Sequence, residues 1–406
     1  MHVFKSLNAS YLAGLVRIAV IAMYGALSLS LLYSTQTAHA QLSCDDPPID
    51  VSNIQRIWDK TDFCIFEEGV FDEIISGGVP RDGIPPIDNP EFESIEAADA
   101  WLEPQSPVIV LEVDGVARAY PLAIMTRHEI VNDVIAGQPV AVTFCPLCNS
   151  GIVFSREVDG QTMRFGVSGL LRHSDLIMWD DISQSWWQQF TGTGIVGTYT
   201  GHELEILPST MASFGAFVEN FPDGEVLSRG ERSYGRNPYV EYDSSASPFL
   251  FTGPVDDRLF ATERVLAVSI DDQAIAYPFP VLAEEGVIND EIADRPVVAF
   301  WQSGATSALG SAVIDEARDV GMAALYRREV DGDVLTFRLD EDGSIRDDQT
   351  NSKWNVFGKA TAGELEGTQL RQELAAPHFW FAWAAFERET EIYGFDAETD
   401  DGDESE

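Results

Sequence analysis

Ala119-Tyr120-Pro121, followed by Asn132-Asp133 and Pro139-Val140, recurs as Ala276-Tyr277-Pro278, Asn289-Asp290 and Pro296-Val297. One offset relates all three pairs (277 − 120 = 289 − 132 = 296 − 139 = 157). Further on, Arg156-Glu157-Val158-Asp159-Gly160 returns letter for letter at Arg328 to Gly332, with an offset of 172. Ser185 and Trp187 return as Ser352 and Trp354 (offset 167), and Gly197, Gly201 and Leu204 as Gly363, Gly367 and Leu370 (offset 166). Ordered matches separated by small insertions are the mark of two copies of one structural unit. The copies part where chemistry is concentrated. Phe144-Cys145-Pro146-Leu147-Cys148 faces Trp301-Gln302-Ser303-Gly304-Ala305, and His128 faces Glu285. A duplicated scaffold with reactive side chains in one copy implies one site, in the first half. Residues common to both halves serve the fold first.

Outward from these matches the pattern is one of short strands and tight turns. Val108–Val113 and Val116–Tyr120 flank Asp114-Gly115, a hairpin signal. A short helix over Leu122–His128 follows Pro121. Val140–Phe144 and Gly151–Ser155 read as buried strands, and Asp159-Gly160 turns the chain into Thr162–Phe165. Met211–Phe221 reads as helix, and so does its counterpart Phe379–Glu387. The second copy's strands fall at Arg264–Ile270, Ala274–Tyr277, Val297–Trp301, Ala323–Arg328 and Val334–Leu339. Asn132-Asp133, shared by both halves, reads as a structural turn. The expected class is therefore α+β and β-rich, with two similar, internally duplicated halves of short antiparallel strands and few helices. The expected organisation is a signal peptide over 1–40, an irregular Pro- and Gly-rich arm over 41–104, a first repeat over 105–230, a linker over 231–261, a second repeat over 262–394, and an acidic tail over 395–406. One short helix is expected in the arm, near Ile54–Lys60. The length suits two domains of ordinary size.

Lys5 and Arg17 precede or open an apolar run from Ile18 to Leu32, and Ala38-His39-Ala40 is a small-x-small cleavage site. This is the pattern of an export signal, and the run is short for a membrane span of ~20 residues. The alternative is an uncleaved N-terminal anchor. The net charge is −42; residues 1–40 carry two basic groups and no acid, so the remainder is −42 − 2 = −44. Such a chain repels nucleic acid and anionic membranes, which excludes the former as a partner. No later segment is apolar enough for a stable membrane span. The expected location is periplasmic or extracellular, with small-molecule and protein partners left open.

Four cysteines in an exported chain allow three pairings. Cys44 and Cys64 lie outside the repeat and are expected to form a structural disulfide in an oxidising compartment. That leaves Cys145-x-x-Cys148, a spacing that grips one metal ion or closes a redox disulfide. The histidines within sequence reach are His128 and His173. A closed zinc site wants four ligands, and no second cysteine pair exists. His128 beside Cys145 lowers the thiol pKa to make a nucleophile, or completes a soft metal site; a histidine at a helix C-terminus also simply suits the dipole. Ser174-Asp175, in a polar loop, either faces the site or caps local backbone, and the cap is preferred. Trp187 and Trp354 are equivalent, which points to core packing. Asp340-Glu341-Asp342-Gly343 lacks a full calcium-loop pattern and reads as a hairpin turn.

Asp82-Gly83-Ile84-Pro85, Ala119-Tyr120-Pro121, His128-Glu129-Ile130-Val131-Asn132-Asp133, Phe144-Cys145-Pro146-Leu147, Phe165-Gly166-Val167-Ser168-Gly169-Leu170, Ser174-Asp175-Leu176 and Phe379-Trp380-Phe381-Ala382-Trp383 together resemble the bacterial family known as domain of unknown function 3179. The resemblance runs from about Gly77 to Gly394. It implies an exported protein whose activity is not established. In that family the Cys145 and His128 positions are regular, that of Cys148 is often Thr, and that of His173 is often not His. The resemblance thus implies Cys145 with His128 as the shared pair, and Cys148 as an accessory. Three functional readings stand: a soft-metal (copper or zinc) or thiol-redox site on Cys145, Cys148 and His128, with His173 as a further ligand; an enzyme with Cys145 as nucleophile and His128 as base; and a non-catalytic module in which Cys145–Cys148 is a staple. Peptide mapping under non-reducing conditions is expected to recover Cys44 and Cys64 as one linked pair. Labelling of both as free thiols would refute the pairing.

Overall fold

The computed structural model describes residues 49–50 and 54–395. The segment expected to be a signal peptide, Cys44 and the acidic residues from 396 lie outside the described residues, so the Cys44–Cys64 pairing rests on the sequence. Among the described residues no helix is long and apolar enough to cross a membrane.

Short antiparallel strands dominate. Pro107–Val113 and Val116–Pro121 form the hairpin expected at Asp114-Gly115, with Val113 opposite Val116. Thr210–Ser213 pairs on one edge; Glu225–Leu227 and Phe92–Ser94 extend the other. The helix Leu122–His128 leads into a second sheet of Ile130–Ile135, Gln138–Cys145, Ser150–Ser155 and Ile206–Leu207. A third sheet holds Ile74–Ser76, Phe165–Arg172, Asp175–Asp180, Trp186–Gln188 and Gly194–Val196.

The second stretch carries its elements in the same order. Arg264–Ile270 and Gln273–Pro278 form a hairpin, and Phe279–Glu285 is the helix. Val287–Ile292, Arg295–Gln302 and Met322–Arg327 form a sheet; Phe337–Leu339, Ile345–Asp347, Lys353–Trp354 and Ala360–Ala362 form another. Buried hydrogen bonds correspond as well. Tyr120 donates to Asp133 at 2.6 Å, and Tyr277 to Asp290 at 2.8 Å. Asn132 exchanges two bonds with the backbone of Phe165, and Asn289 with that of Phe337. The Trp187 and Trp354 indoles donate to Asp180 and Asp347, each at 3.0 Å.

Several local expectations change. Asn132-Asp133 is not a turn: both residues lie within the buried strand Ile130–Ile135, where their side chains stitch one sheet to the next. Thr162 ends a two-residue strand instead of opening a longer one; the chain re-enters a sheet at Phe165. The helix expected over Met211–Phe221 starts later. Residues Thr210–Ser213 pair with Pro107–Val110, and Ser213 then caps Phe214–Asn220 by accepting from the Ala216 N–H. Residues 54–60 make turns, with Trp58 N–H bonding Ile54 O at 3.0 Å. The arm is not wholly irregular, since Ile74–Ser76 and Phe92–Ser94 extend sheets of the first stretch. Asp340–Gly343 is a hairpin turn, closed by Asp340 N–H to Ser344 O. The largest buried apolar cluster draws on both stretches, from Phe144 and Trp187 to Val265, Phe379 and Trp380.

Asp180 accepts from the Ser185 N–H, the Ser183 hydroxyl and the Trp187 indole; Asp347 accepts from the Ser352 N–H, the Thr350 hydroxyl and the Trp354 indole. Both carboxylates are wholly buried. If the two stretches are copies of one unit, these aspartates carry equal loads. Asp180→Asn and Asp347→Asn are each expected to cost about 2 kcal/mol in denaturant unfolding, because a carboxylate that accepts several charge-assisted bonds becomes an amide with one acceptor. A large loss in one and none in the other would count against equivalence.

Candidate metal centre

Cys145 ends the Gln138–Cys145 strand, opposite Ser150 on the next strand. Pro146, Leu147, Cys148 and Asn149 form the loop between them. Cys148 N–H bonds Cys145 O at 3.2 Å, Asn149 N–H bonds Pro146 O at 3.3 Å, and Asn149 takes a left-handed φ of 50° to re-enter the sheet. The two cysteines thus belong to a hairpin loop, not to a helix start. Both are buried free thiols.

The third member comes from another sheet. His173 and Ser174, with φ of 53° and 67°, form a two-residue turn between Phe165–Arg172 and Asp175–Asp180, with Arg172 opposite Asp175. Positive φ at both central positions is the two-residue hairpin conformation. The turn brings Asp175 against the cysteines: Cys145 Sγ, Cys148 Sγ and one Asp175 carboxylate oxygen lie within 4.8 Å of one another. Asp175 Oδ2 accepts from Gln188 Nε2 at 2.6 Å and from the Phe190 N–H at 2.9 Å, while Oδ1 is buried without a partner.

Electrostatics set this cluster apart. Burial pushes the Asp175 carboxyl up to about 7, against the Gln188 and Phe190 hydrogen bonds and the adjacent thiols, which pull it down. Burial, with Asp175 nearby, pushes Glu129 up to about 8. The Cys145 thiol is raised by burial, and that of Cys148 further by burial and by Cys145 beside it. Tyr239 is raised as well, by burial and then by Glu129 and Cys145. Among the described residues no arginine or lysine forms an ion pair with Asp175 or Glu129. Four acids share a desolvated space without a compensating base, which is costly unless they stay protonated or meet a cation.

The two histidines expected here serve elsewhere. His128 Nδ1 donates to Pro85 O at 2.7 Å, which makes Nε2 the acceptor for the Tyr234 hydroxyl at 3.2 Å. Burial first, and Arg232 beside it, hold its pKa below the ordinary value. His173 Nε2 sits 3.6 Å from Glu73, and its Nδ1 is buried without a partner. Neither histidine belongs to the group around the thiols. His128 instead fastens the segment after residue 231, and two further bonds do the same: the Tyr242 hydroxyl donates to Leu147 O at 3.0 Å, and the Ser174 hydroxyl to Phe249 O at 2.7 Å. Each anchor adjoins a residue of the cluster: His128 precedes Glu129, Leu147 precedes Cys148, and Ser174 precedes Asp175. The presumed linker is therefore bonded directly to the elements that form the centre.

Sequence reasoning weighed Asp175 as a local cap and passed over Glu129. The signal for Asp175 was its place before the apolar run Leu176-Ile177-Met178-Trp179, a strand that delivers it to the interior. The chemical capacity of the cluster is plain: two soft sulfur donors and one oxygen donor, buried, converging on one point.

No curated protein and no solved structure matches the chain. The model of the family described as "Protein of unknown function (DUF3179)" matches residues 81–390, a span that holds every residue of the cluster and most of both repeated stretches, and the chain belongs to that family.

Proposed function

We propose that the first stretch carries a soft transition-metal centre, zinc or copper, held by Cys145, Cys148 and Asp175 in an exported protein. One observation carries this reading: three ligand atoms of the right chemistry lie within 4.8 Å of one another, and the Asp175 oxygen Oδ1 is buried there without a partner. On tetrahedral zinc, with Zn–S near 2.3 Å, two sulfurs sit roughly 3.8 Å apart, so binding asks only for a small contraction. A divalent cation also supplies the positive charge that the surrounding side chains do not. Gln188 and the Phe190 N–H orient Asp175 from behind, as outer hydrogen bonds orient metal-bound carboxylates.

A Cys145 nucleophile with His128 as base finds less support. Burial raises the Cys145 thiol, the opposite of activation, and both ring nitrogens of His128 are engaged by Pro85 and Tyr234. A redox disulfide has one observation in its favour, the close approach of the two free thiols. It leaves Asp175 without a role.

Protein purified without a His-tag is expected to contain one zinc or copper per chain by elemental analysis. Cys145→Ser, Cys148→Ser and Asp175→Asn should each weaken binding at least about tenfold, because each removes a donor. Loss on Cys145→Ser alone would favour the thiol readings. The pH dependence follows from Asp175. Its folded pKa, about 7 against an ordinary 3.8, means that the metal-free folded state holds a proton the unfolded state has released. Stability of the metal-free protein is therefore expected to fall as pH rises from about 4 through about 7. Metal must displace that proton, so affinity should fall as pH drops below about 7. Thermal melts of the metal-free protein across this range should show the slope, and Asp175→Asn should reduce it, the remainder coming from Glu129, whose carboxyl is raised to about 8.

A further inference from the structure

We propose that Glu129 is a fourth functional group of this centre, facing the coordination position that Cys145, Cys148 and Asp175 leave open and hydrogen-bonding the small molecule or water bound there. The inference rests on the metal reading above, and three observations carry it.

The first is the backbone. Glu129 ends the helix Leu122–His128 with φ 60° and ψ −30°, and Gly286, its equivalent (129 + 157 = 286), ends Phe279–Glu285 with φ 69° and ψ −34°. The same bond closes both turns: Phe144 N–H to Glu129 O at 2.8 Å, and Trp301 N–H to Gly286 O at 2.9 Å. The turn needs a left-handed residue, which glycine supplies freely and glutamate only under strain. Asp272 and Asp294 also stand left-handed where the first stretch has Gly115 and Gly137, so positive φ alone assigns no use; what singles out Glu129 is its place, one backbone hydrogen bond from Phe144 and so beside Cys145.

The second is the side chain. Glu129 is 7% exposed, and its carboxyl makes no hydrogen bond or ion pair among the described residues. Its electrostatic neighbours are Asp175, Cys145 and Tyr239. Its oxygens are not among the fully enclosed unpartnered atoms, so the carboxyl keeps a contact with solvent beside the thiols and no protein donor holds it.

The third is the pairing of features between the two stretches. Where glutamate stands, cysteines occupy 145 and 148; where glycine stands, the equivalent positions are Gln302 and Ala305 (145 + 157 and 148 + 157). The costly residue accompanies the ligands and is absent without them. Glu129 is not one of the three groups within 4.8 Å, so the proposal assigns it to the occupant and not to the metal. Metal sites with three protein ligands keep a fourth position for water or substrate.

The test uses the full chain loaded with cobalt(II), whose thiolate charge-transfer band reports the Cys145–Cys148 ligands, and azide as the probe of the open position. The native protein is expected to show the band and an azide-dependent change in its d–d spectrum. Glu129→Gly, a residue the turn accepts at Gly286, should keep the band and weaken azide binding about tenfold or more, while Glu129→Gln stays within about threefold of native. Glu129→Asn, too short to reach but tolerant of left-handed φ, should behave like the glycine variant and stands in if that one fails to fold. Native-like azide affinity in the glycine or asparagine variant overturns the proposal, and so does a native protein whose spectrum ignores azide. Absence of the charge-transfer band in the native protein overturns the metal reading itself, a separate and visible failure.

Discussion

The Gln138–Cys145 strand is hydrogen-bonded along both edges, to Ile130–Ile135 and to Ser150–Ser155, and the site depends on that constraint. A strand paired on both sides cannot slide by one residue without turning every side chain to the opposite face. Phe144 N–H is spent on Glu129 O and Cys148 O accepts from Phe379 N–H at 2.9 Å, so the loop is tied at each end, once to its own stretch and once to the second. The cysteines are therefore held by backbone bonds that do not involve their sulfur atoms. The hydrogen bond from a cysteine sulfur to backbone, Cys145 Sγ to Ser174 O, is long at 3.7 Å.

The fold was legible where local rules and burial agree. Arg264–Ile270 and Leu122–His128 stand at the positions their periodicity and flanking residues indicate, and the Asp114-Gly115 hairpin needs only its turn chemistry. Legibility failed where a tertiary contact overrides a local signal. Asn132-Asp133 has turn composition, yet its side chains find partners on Phe165, Tyr120 and Arg118 that make a strand the better place. His173-Ser174 carries no familiar turn signature, although its backbone adopts the most demanding hairpin conformation. That hidden turn is why Asp175 reads as a local cap before it reads as facing the site: without the turn, the aspartate and the cysteines belong to unrelated segments. Half of the centre, Cys145 and Cys148, was visible as a motif; the carboxyl half was visible only in three dimensions. His128 drew attention as a histidine near a cysteine in sequence, but a carbonyl and a hydroxyl fix its ring elsewhere.

Charge is handled differently inside and outside the chain. The net charge of −42 belongs mostly to solvated acids, many of them paired with arginine, as in Arg172 with Glu67 and Glu73. Such a surface raises the local concentration of cations. Asp180 and Asp347 show how this fold neutralises a buried carboxylate: each is ringed by N–H and O–H donors. Asp175 and Glu129 are the contrast. Asp175 has donors on one oxygen only, and Glu129 has none. A scaffold that can satisfy a buried carboxylate, and does so twice at equivalent places, leaves these two short of partners.

The two stretches differ at the positions that their matched sequences bring into correspondence. At the turn after the helix, the second stretch takes glycine and the relaxed backbone; the first takes glutamate and the strain. At the end of the central strand, the second takes Trp301 and Gln302, half-exposed and exposed; the first takes Phe144 and Cys145, both buried. Because the largest apolar cluster is shared, stability contributed by the second stretch supports the first directly, through contacts such as Phe379 at the back of the Cys148 loop. Residues that weaken a fold are kept where they act and are compensated elsewhere. In this chain, the second stretch packs directly against the loop that carries Cys148.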